Sequence, residues 1–195
     1  MKKQILFLCL GFIATLTSCI SEDMEITKAG SKLSVRDTIP EFQVVTLDQD
    51  TFTQDNHKGK TLVLLFFHTK CGDCQKELPI VEQVYRDCRQ DSLWQLVCIG
   101  RAEKTDAVRQ YWQKNQFTMP VSPQEDRTIY DRFAYSGVPM LYVIDAQNVI
   151  QAIYDDQNMA SYEELKGWIS KVNEENQKEK EQASYSRVYS LTSPR

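Results

Sequence analysis

At 195 residues, the chain is long enough for one well-buried domain and too short for two ordinary domains joined by linkers. A composition of 42% hydrophobic and 26% charged residues is typical of a soluble globular protein. A net charge of −4 argues against nucleic acid as a partner. Six cysteines are far fewer than a disulfide scaffold contains, so their positions carry the information.

The first 18 residues have the pattern of a secretory signal. Two lysines precede an apolar core that runs from Ile5 to about Ala14 and is too short to span a bilayer. Residues 16–19 read Leu-Thr-Ser-Cys, which resembles the lipobox of bacterial lipoproteins, where the chain is cleaved before the cysteine and the cysteine is acylated. Several acyl chains on Cys19 would anchor the protein firmly, since each buried CH₂ contributes about 0.8 kcal/mol. Ordinary secretion with a free Cys19 is the alternative.

The chain between this signal and the first predicted strand is polar. Residues 19–38 show little periodicity and are predicted to form a tether. Residues 39–47 and 51–53 then suggest two short strands around a polar turn at residues 48–50. An N-terminal β-hairpin is therefore expected before the main domain.

Two cysteines lie where a buried strand gives way to a helix. Residues 62–67 form a continuous apolar run that is typical of a central strand buried on both faces. After Cys71 and Cys74, apolar side chains recur at helical spacing: Leu78, Val81, Val84, Tyr85 and Cys88. The unpaired N–H groups of a helix start favour a thiolate, so Cys71 is expected to be the more exposed and more acidic thiol. Cys74, one turn below, can close a disulfide or resolve a mixed one.

The middle of the chain alternates strands and helices. Residues 93–100 predict a second buried strand, joined to the first by a parallel, right-handed crossover through the cysteine-bearing helix. Thr105 can cap a helix that runs to about Asn115. The Ser-Pro pair at residues 122–123 is expected to introduce another helical stretch around residues 129–133.

The last third of the chain predicts an antiparallel strand pair and a closing helix. Pro139 begins an apolar strand, and a turn at residues 145–148 leads to a second strand at residues 149–154. Residues 162–172 have helical periodicity. From residue 173 onward charged and polar residues dominate, so the helix is expected to fray into a disordered tail over residues 176–195.

Four of these features occur in an order that resembles a known family. They are the buried strand, the C-x-x-C of Cys71 and Cys74, the Lys-Glu-Leu-Pro at residues 76–79, and the Gly-Val-Pro at residues 137–139 before an apolar strand. Together they resemble the thioredoxin fold, in the TlpA/ResA-like branch of membrane-tethered thiol–disulfide oxidoreductases, over residues 39–175. The resemblance implies an α/β domain whose central mixed β-sheet is flanked by helices, with an N-terminal β-hairpin extension.

The resemblance also assigns a substrate-binding edge. It implies that Pro139 is cis and faces the C-x-x-C, with the backbone of Val138 holding an extended substrate segment beside Cys71. Without the resemblance, a proline simply opens a strand at this position. The residues between the two cysteines, Gly72 and Asp73, are predicted to belong to the same substrate-binding site.

Glu77, one turn beyond Cys74, matches a glutamate that is important in the TlpA/ResA-like branch. If it is partly buried, its raised pKa would suit proton exchange with the Cys74 sulfur as a mixed disulfide resolves. The alternative is a solvated glutamate near the start of a helix. The chain departs from the family at Lys70, where tryptophan commonly precedes the first cysteine, and at His68, where a small residue is usual.

Other interpretations of the cysteines stay open. Cys71 and Cys74 would be half of a zinc site if further ligands joined them, but only His68 is close in sequence, and structural zinc needs four ligands. The pair would also serve as a purely structural disulfide. Cys88 and Cys98 are expected to pack in the core, with a second disulfide between them as the alternative.

The whole pattern predicts a lipid-anchored thiol–disulfide oxidoreductase of the cell envelope, facing the periplasm or the cell surface. Its partners would be disulfide- or thiol-containing protein substrates and, as the resemblance implies, a membrane thiol donor that keeps it acting as a reductant. The interpretation requires neither a cofactor nor a metal. A peroxiredoxin-like thiol peroxidase and a non-catalytic binding module with the same fold are the alternatives.

Overall fold

A computed structural model describes residues 30–57 and 59–192, with side chains up to residue 185. The predicted signal segment, Cys19 and most of the predicted tether lie outside the described residues. In chain order the elements are β1 (Gln43–Val45), β2 (Thr51–Thr53), β3 (Thr61–Phe67), α1 (Gly72–Cys88), β4 (Trp94–Gly100), α2 (Thr105–Asn115), β5 (Val121–Pro123), α3 (Tyr130–Phe133), β6 (Met140–Ile144), β7 (Ile150–Asp155) and α4 (Tyr162–Thr192).

Five strands form one mixed sheet in the order β5-β4-β3-β6-β7. Strands β3, β4 and β5 are parallel to one another, whereas β6 pairs antiparallel with both β3 and β7. All seven residues of β3 are buried, which explains the continuous apolar run at residues 62–67. Strands β1 and β2 form a separate antiparallel hairpin. The mixed sheet flanked by helices and the N-terminal hairpin confirm the predicted fold class.

One edge of the sheet collects the chain segments that form the candidate site. Strand β3 ends shortly before Cys71, and its parallel neighbour β4 ends at Gly100, opposite Phe67. Strand β6 runs the other way, so it begins at this edge, with its first residue opposite Phe66. The residue just before β6 is Pro139. The topology therefore carries Cys71 and Pro139 to the same edge of the sheet.

Two local predictions in the middle of the chain are wrong. Thr105 is the first residue of α2, and its N-cap is Lys104, which makes no side-chain capping bond. The helical stretch expected around residues 129–133 is present as α3, but the Ser-Pro pair does not start it, because Val121–Pro123 is β5, an edge strand whose Val121 lies opposite Cys98 of β4. Pro is tolerated on such an edge strand. A three-residue strand has no periodicity of its own, so only its pairing partner reveals it.

The last part of the predicted tether belongs to the folded domain. Ser31 forms a β-bridge with Ala134. Further along, the Arg36 N–H donates to the Ile150 carbonyl at 2.8 Å, and the Ile150 N–H donates to the Asp37 carbonyl at 2.9 Å. The domain therefore starts earlier than predicted. Polar side chains suggested a solvated segment, but the pairing uses backbone groups, which composition does not show.

The closing helix is much longer than predicted. α4 runs from Tyr162 to Thr192, where the sequence pattern suggested fraying and then a disordered tail over residues 176–195. Asn173 and Asn176 are buried, and the Thr61 hydroxyl donates to Asn173 at 2.6 Å. Beyond them the many glutamate, lysine and glutamine residues are good helix formers, so their polarity marks an exposed helix. Of the helices in the described part of the chain, none combines the length and apolar character needed to cross a membrane.

Buried His57 makes the stability of the fold sensitive to acid. The residue lies fully buried in the loop before β3, and burial lowers its pKa, against the opposing effect of the Asp145 and Thr53 carbonyls. The folded protein therefore keeps the ring neutral at a pH where the unfolded chain, with a pKa near 6.5, takes up a proton. The stability that depends on the neutral ring is fully present above about pH 6.5 and is lost as pH falls through the lowered folded pKa.

We expect wild-type stability against urea to fall more steeply between about pH 7 and pH 5 than the stability of His57→Gln. The free energy of unfolding, measured at several pH values in this range, checks this. His68→Gln, which removes the only other histidine of the chain, is the control. Parallel losses in the wild type and in His57→Gln would contradict the role of His57.

Candidate active site

The first cysteine caps the helix that follows it. Cys71 has an extended backbone at the N-cap of α1, and its Sγ accepts a hydrogen bond from the Cys74 N–H at 3.3 Å. The turn before it is closed by a bond from the Cys71 N–H to the His68 carbonyl at 3.0 Å. The Cys71 sulfur therefore lies among the N–H groups of a helix start, where negative charge is stabilised.

Cys71 also contacts the loop that precedes β6. Its thiol donates to the Val138 carbonyl at 3.1 Å, and the Val138–Pro139 peptide bond is cis. Val138 and Pro139 are buried, whereas Cys71 is partly exposed. The structure thus brings together Cys71, Cys74, Val138 and Pro139, although Cys71 and Val138 are 67 positions apart along the chain.

Cys74 lies one helical turn below Cys71 and has no exposed surface. Burial raises the pKa of its thiol far above the usual range, and the hydrogen bond with Cys71 and the charge of Glu77 raise it further. Cys74 is therefore a protonated thiol at neutral pH. It can act as a nucleophile only when a nearby group accepts its proton.

Glu77 is buried one turn along α1 from Cys74. It is 1% exposed, and its Oε1 accepts a hydrogen bond from the Ala160 N–H at 3.3 Å. Burial raises the pKa of this carboxyl from 4.5 to about 7 and outweighs the opposing effect of the Ala160 hydrogen bond, and the charge of Asp155 adds a smaller increase. Glu77 is thus a buried acid that exchanges its proton near neutral pH, close enough to Cys74 for its charge to raise that thiol's pKa.

The two residues between the cysteines lie on the outer rim of the site. Gly72 is exposed, and a Cβ at this position would meet no other atom within 4 Å. Asp73 accepts a hydrogen bond from Lys76 Nζ at 2.8 Å, one turn along the outer face of α1. Both residues therefore border the solvent side of Cys71.

The chain matches a known protein family across the sheet and the site. The profile of the AhpC/TSA family matches residues 35–153, a range that contains both cysteines and Pro139. The chain belongs to the AhpC/TSA family.

Two relatives are similar to this chain along most of its length. Thiol-disulfide oxidoreductase ResA from Bacillus cereus is 24% identical over 142 residues, which cover 72% of this chain and 80% of the relative. ResA from Bacillus subtilis is 22% identical over 151 residues, which cover 76% of this chain and 84% of the relative. The predicted resemblance to the ResA-like branch is therefore confirmed.

Two crystal structures show the same fold. A thiol:disulfide interchange protein of the thioredoxin family from Chlorobium tepidum has a TM-score of 0.62 at 23% identity, covering 71% of this chain and 97% of its own. StoA from Bacillus subtilis has a TM-score of 0.56 at 21% identity, covering 66% of this chain and 96% of its own. The thioredoxin-like fold predicted from the sequence is therefore confirmed.

This AhpC/TSA member braces the turn before Cys71 with a buried glutamate that its sequence pattern did not reveal. Glu103 follows β4 and is 5% exposed. Its carboxylate accepts hydrogen bonds from the Thr69 N–H at 2.9 Å and from the Thr69 hydroxyl, and it lies 3.6 Å from His68 Nδ1. The carboxyl ends of parallel strands lie at the same edge of a sheet. A glutamate just beyond β4, which is parallel to β3, was therefore the signal that could have placed Glu103 near the turn before Cys71.

The two remaining described cysteines are free thiols. Cys98 is fully buried in β4, with its sulfur 3.9 Å from the Met119 sulfur, and Cys88 is half-buried at the end of α1. Both pack in or against the hydrophobic core. Within residues 30–57 and 59–185, no three His, Cys, Asp or Glu side chains are grouped so that they could hold a metal ion.

Proposed function

We propose that the protein is a thiol–disulfide oxidoreductase that reduces disulfides in extracytoplasmic protein substrates through Cys71 and Cys74. The arrangement of the two sulfurs carries the proposal. Cys71 is partly exposed at a helix start, 3.1 Å from the Val138 carbonyl, while Cys74 is buried one turn below it. The relatives from Bacillus cereus and Bacillus subtilis are named for this activity.

The reaction begins at the exposed sulfur. As a thiolate, Cys71 attacks one sulfur of a substrate disulfide, so that the S–S bond breaks and a bond between Cys71 and the substrate forms. The other substrate sulfur leaves as a thiolate and takes a proton from water. The helix start stabilises the attacking thiolate, and the substrate segment pairs with the backbone at Val138, beside the rim formed by Gly72 and Asp73.

The buried sulfur completes the reaction. Cys74 gives its proton to Glu77 and attacks Cys71 Sγ, which breaks the mixed disulfide and releases the second substrate sulfur as a thiolate. Two electrons have then moved from the dithiol to the substrate, and a Cys71–Cys74 disulfide remains. Because the pKa of Glu77 is about 7, its carboxylate can accept this proton near neutral pH and pass it to the released sulfur.

The proposed location is the cell envelope, where acyl chains on Cys19 anchor the protein and a membrane thiol donor returns two electrons to the disulfide. The signal-like first 18 residues and the lipobox-like residues 16–19 support this location. Incorporation of labelled palmitate into the wild type, and its loss in Cys19→Ser, would establish the anchor. Equal labelling of both proteins would remove Cys19 from this role.

The reduction potential of the Cys71–Cys74 pair tests the direction of electron flow. For the purified full-length protein in defined thiol/disulfide buffers, we expect a two-electron potential below about −220 mV. Cys88→Ser controls for other thiols. A potential near that of a strong oxidant, about −120 mV, would reverse the direction. If the pair showed no reversible titration, the enzyme assignment would fail and a non-catalytic binding module would remain.

A further inference from the structure

The loop that leads into the cis peptide bond is held by hydrogen bonds with Gly30 and Arg127. Residues 135–138 are named here the substrate loop. The Gly30 carbonyl accepts hydrogen bonds from the N–H groups of Tyr135 at 2.7 Å and Ser136 at 3.4 Å. The Arg127 guanidinium donates to the Tyr135 carbonyl at 3.0 Å. The first half of the substrate loop is therefore bonded through both its N–H and its carbonyl groups.

Tyr130 holds the second half of the substrate loop from inside the domain. It is 1% exposed, and its hydroxyl donates to the Gly137 carbonyl at 2.5 Å. The guanidinium groups of Arg101 and Arg127 lie 4.9 Å and 5.0 Å from the centre of its ring. Cation–π contacts of this kind restrict the ring, so its hydroxyl stays directed at Gly137.

The Gly30 carbonyl is itself fixed by the segment that follows it. Residues 30–33, named here the N-terminal strap, are bonded to the domain through the Lys32 N–H, which donates to the Phe133 carbonyl at 2.9 Å. Gly30 has a φ of +98°, and a Cβ at this position would lie 2.4 Å from the Ser136 carbonyl oxygen. Only glycine combines this backbone conformation with so close an approach.

The substrate loop leaves the Val138 N–H unpaired among the described residues and directs the Val138 carbonyl at Cys71, whose thiol donates to it. We propose that the N-terminal strap and Tyr130 are positioning elements that fix the substrate loop, so that an extended protein substrate can pair with Val138 beside Cys71. This inference rests on the proposed function. A loop that is already ordered loses less conformational entropy when a substrate binds.

Loss of either contact weakens the binding of a peptide disulfide and leaves the sulfur chemistry unchanged. Tyr130→Phe deletes the hydroxyl and keeps the ring, whereas Gly30→Ala pushes the N-terminal strap away from the substrate loop. The first probe is the disulfide dimer of an eight-residue peptide with a central cysteine. In each full-length variant we expect its KM to rise about tenfold, with kcat within about twofold of the wild type.

The second probe is hydroxyethyl disulfide, which is too short to lie along the substrate loop. Its kcat/KM should stay within about twofold of the wild type in both variants, and the reduction potential of the cysteine pair should not change. Tyr154→Phe is the matched control, because it deletes the hydroxyl of another buried tyrosine. Tyr154 lies on β7, and its hydroxyl accepts a hydrogen bond from Trp168 of α4 at 2.9 Å. It should leave both probes at wild-type values.

Amide hydrogen exchange gives a readout that does not depend on activity. The Tyr135 and Ser136 N–H groups should exchange faster in Gly30→Ala than in the wild type, since their acceptor has moved. Three results would overturn the positioning role without affecting the proposed reductase function. They are an equal loss of kcat/KM for both disulfide probes, an unchanged KM for the peptide in both variants, or the same rise in KM in Tyr154→Phe. A wild-type protein that reduces neither probe would overturn the proposed function and the positioning role with it.

Discussion

Replacing Cys74 with serine is expected to stop the reaction at the mixed disulfide. Cys71 keeps its place at the start of α1 and can still attack a substrate, but the sulfur that resolves the mixed disulfide is gone. A neighbouring thiol in the same molecule acts at an effective concentration that added thiol cannot match, so we expect turnover to fall at least about 1000-fold. Steady-state reduction of a protein disulfide measures this loss, and mass spectrometry measures the covalent adduct.

Two matched variants separate the roles of the sulfurs. Cys71→Ser should lose turnover without forming an adduct, because the Cys74 thiol that remains is fully buried. Cys88→Ser changes a half-buried thiol at the far end of α1 and should keep wild-type turnover. An adduct on Cys74 in the Cys71→Ser protein would contradict the assignment of the attacking sulfur.

Glu77→Gln is expected to slow only the second step. The glutamine can keep the hydrogen bond from the Ala160 N–H, but it cannot accept the Cys74 proton. Loss of a general base lowers the rate of the step that it assists by about 100-fold. The mixed disulfide should therefore decay about 100-fold more slowly than in the wild type, while it forms at the wild-type rate. In the wild type, the decay rate should rise as pH passes about 7, where Glu77 loses its proton, and the variant should lack this rise. Rapid-quench kinetics at several pH values measures both steps.

The same substitution should stabilise the fold above neutral pH. Burial raises the pKa of Glu77 from 4.5 to about 7, so the folded protein retains a proton that the unfolded chain releases between these values. The resulting stability is fully present below about pH 4.5 and is lost as pH rises through about 7. At pH 8 the variant has no buried charge at this position, so its free energy of unfolding should exceed that of the wild type by on the order of 3 kcal/mol. Urea unfolding should show this gain at pH 8 and little difference near pH 4.5.

Glu82→Gln is the control for the kinetic effect. Glu82 is the second buried glutamate of α1, and its carboxylate is hydrogen-bonded to Arg86 and to the Thr118 hydroxyl. The mixed disulfide should decay at the wild-type rate in this variant. Equal slowing in both glutamine variants, or normal decay in Glu77→Gln, would remove Glu77 from the mechanism.

Much of the fold was predictable because its signals are local. The continuous apolar run at residues 62–67 is typical of a strand that is covered on both faces, and the helical spacing after Cys74 predicts α1. The predictions failed where the signal was short or polar. β5 has only three residues, the segment around Ser31 is bonded through its backbone, and the polar residues beyond Asn176 continue a helix.

By itself, the sequence determined where the reactive groups lie relative to one another. Cys71, Cys74 and Glu77 occupy one short stretch, and the period of the helix sets their spacing. Only the tertiary structure decided what surrounds them. Thr69 contacts Glu103, 34 positions further along the chain, and the N-terminal strap contacts the substrate loop. Crossover connections bring these segments together, and no periodic pattern in the sequence indicates such distant pairs. The same packing buries Cys74 and Glu77, and burial is the main cause of their raised pKa values.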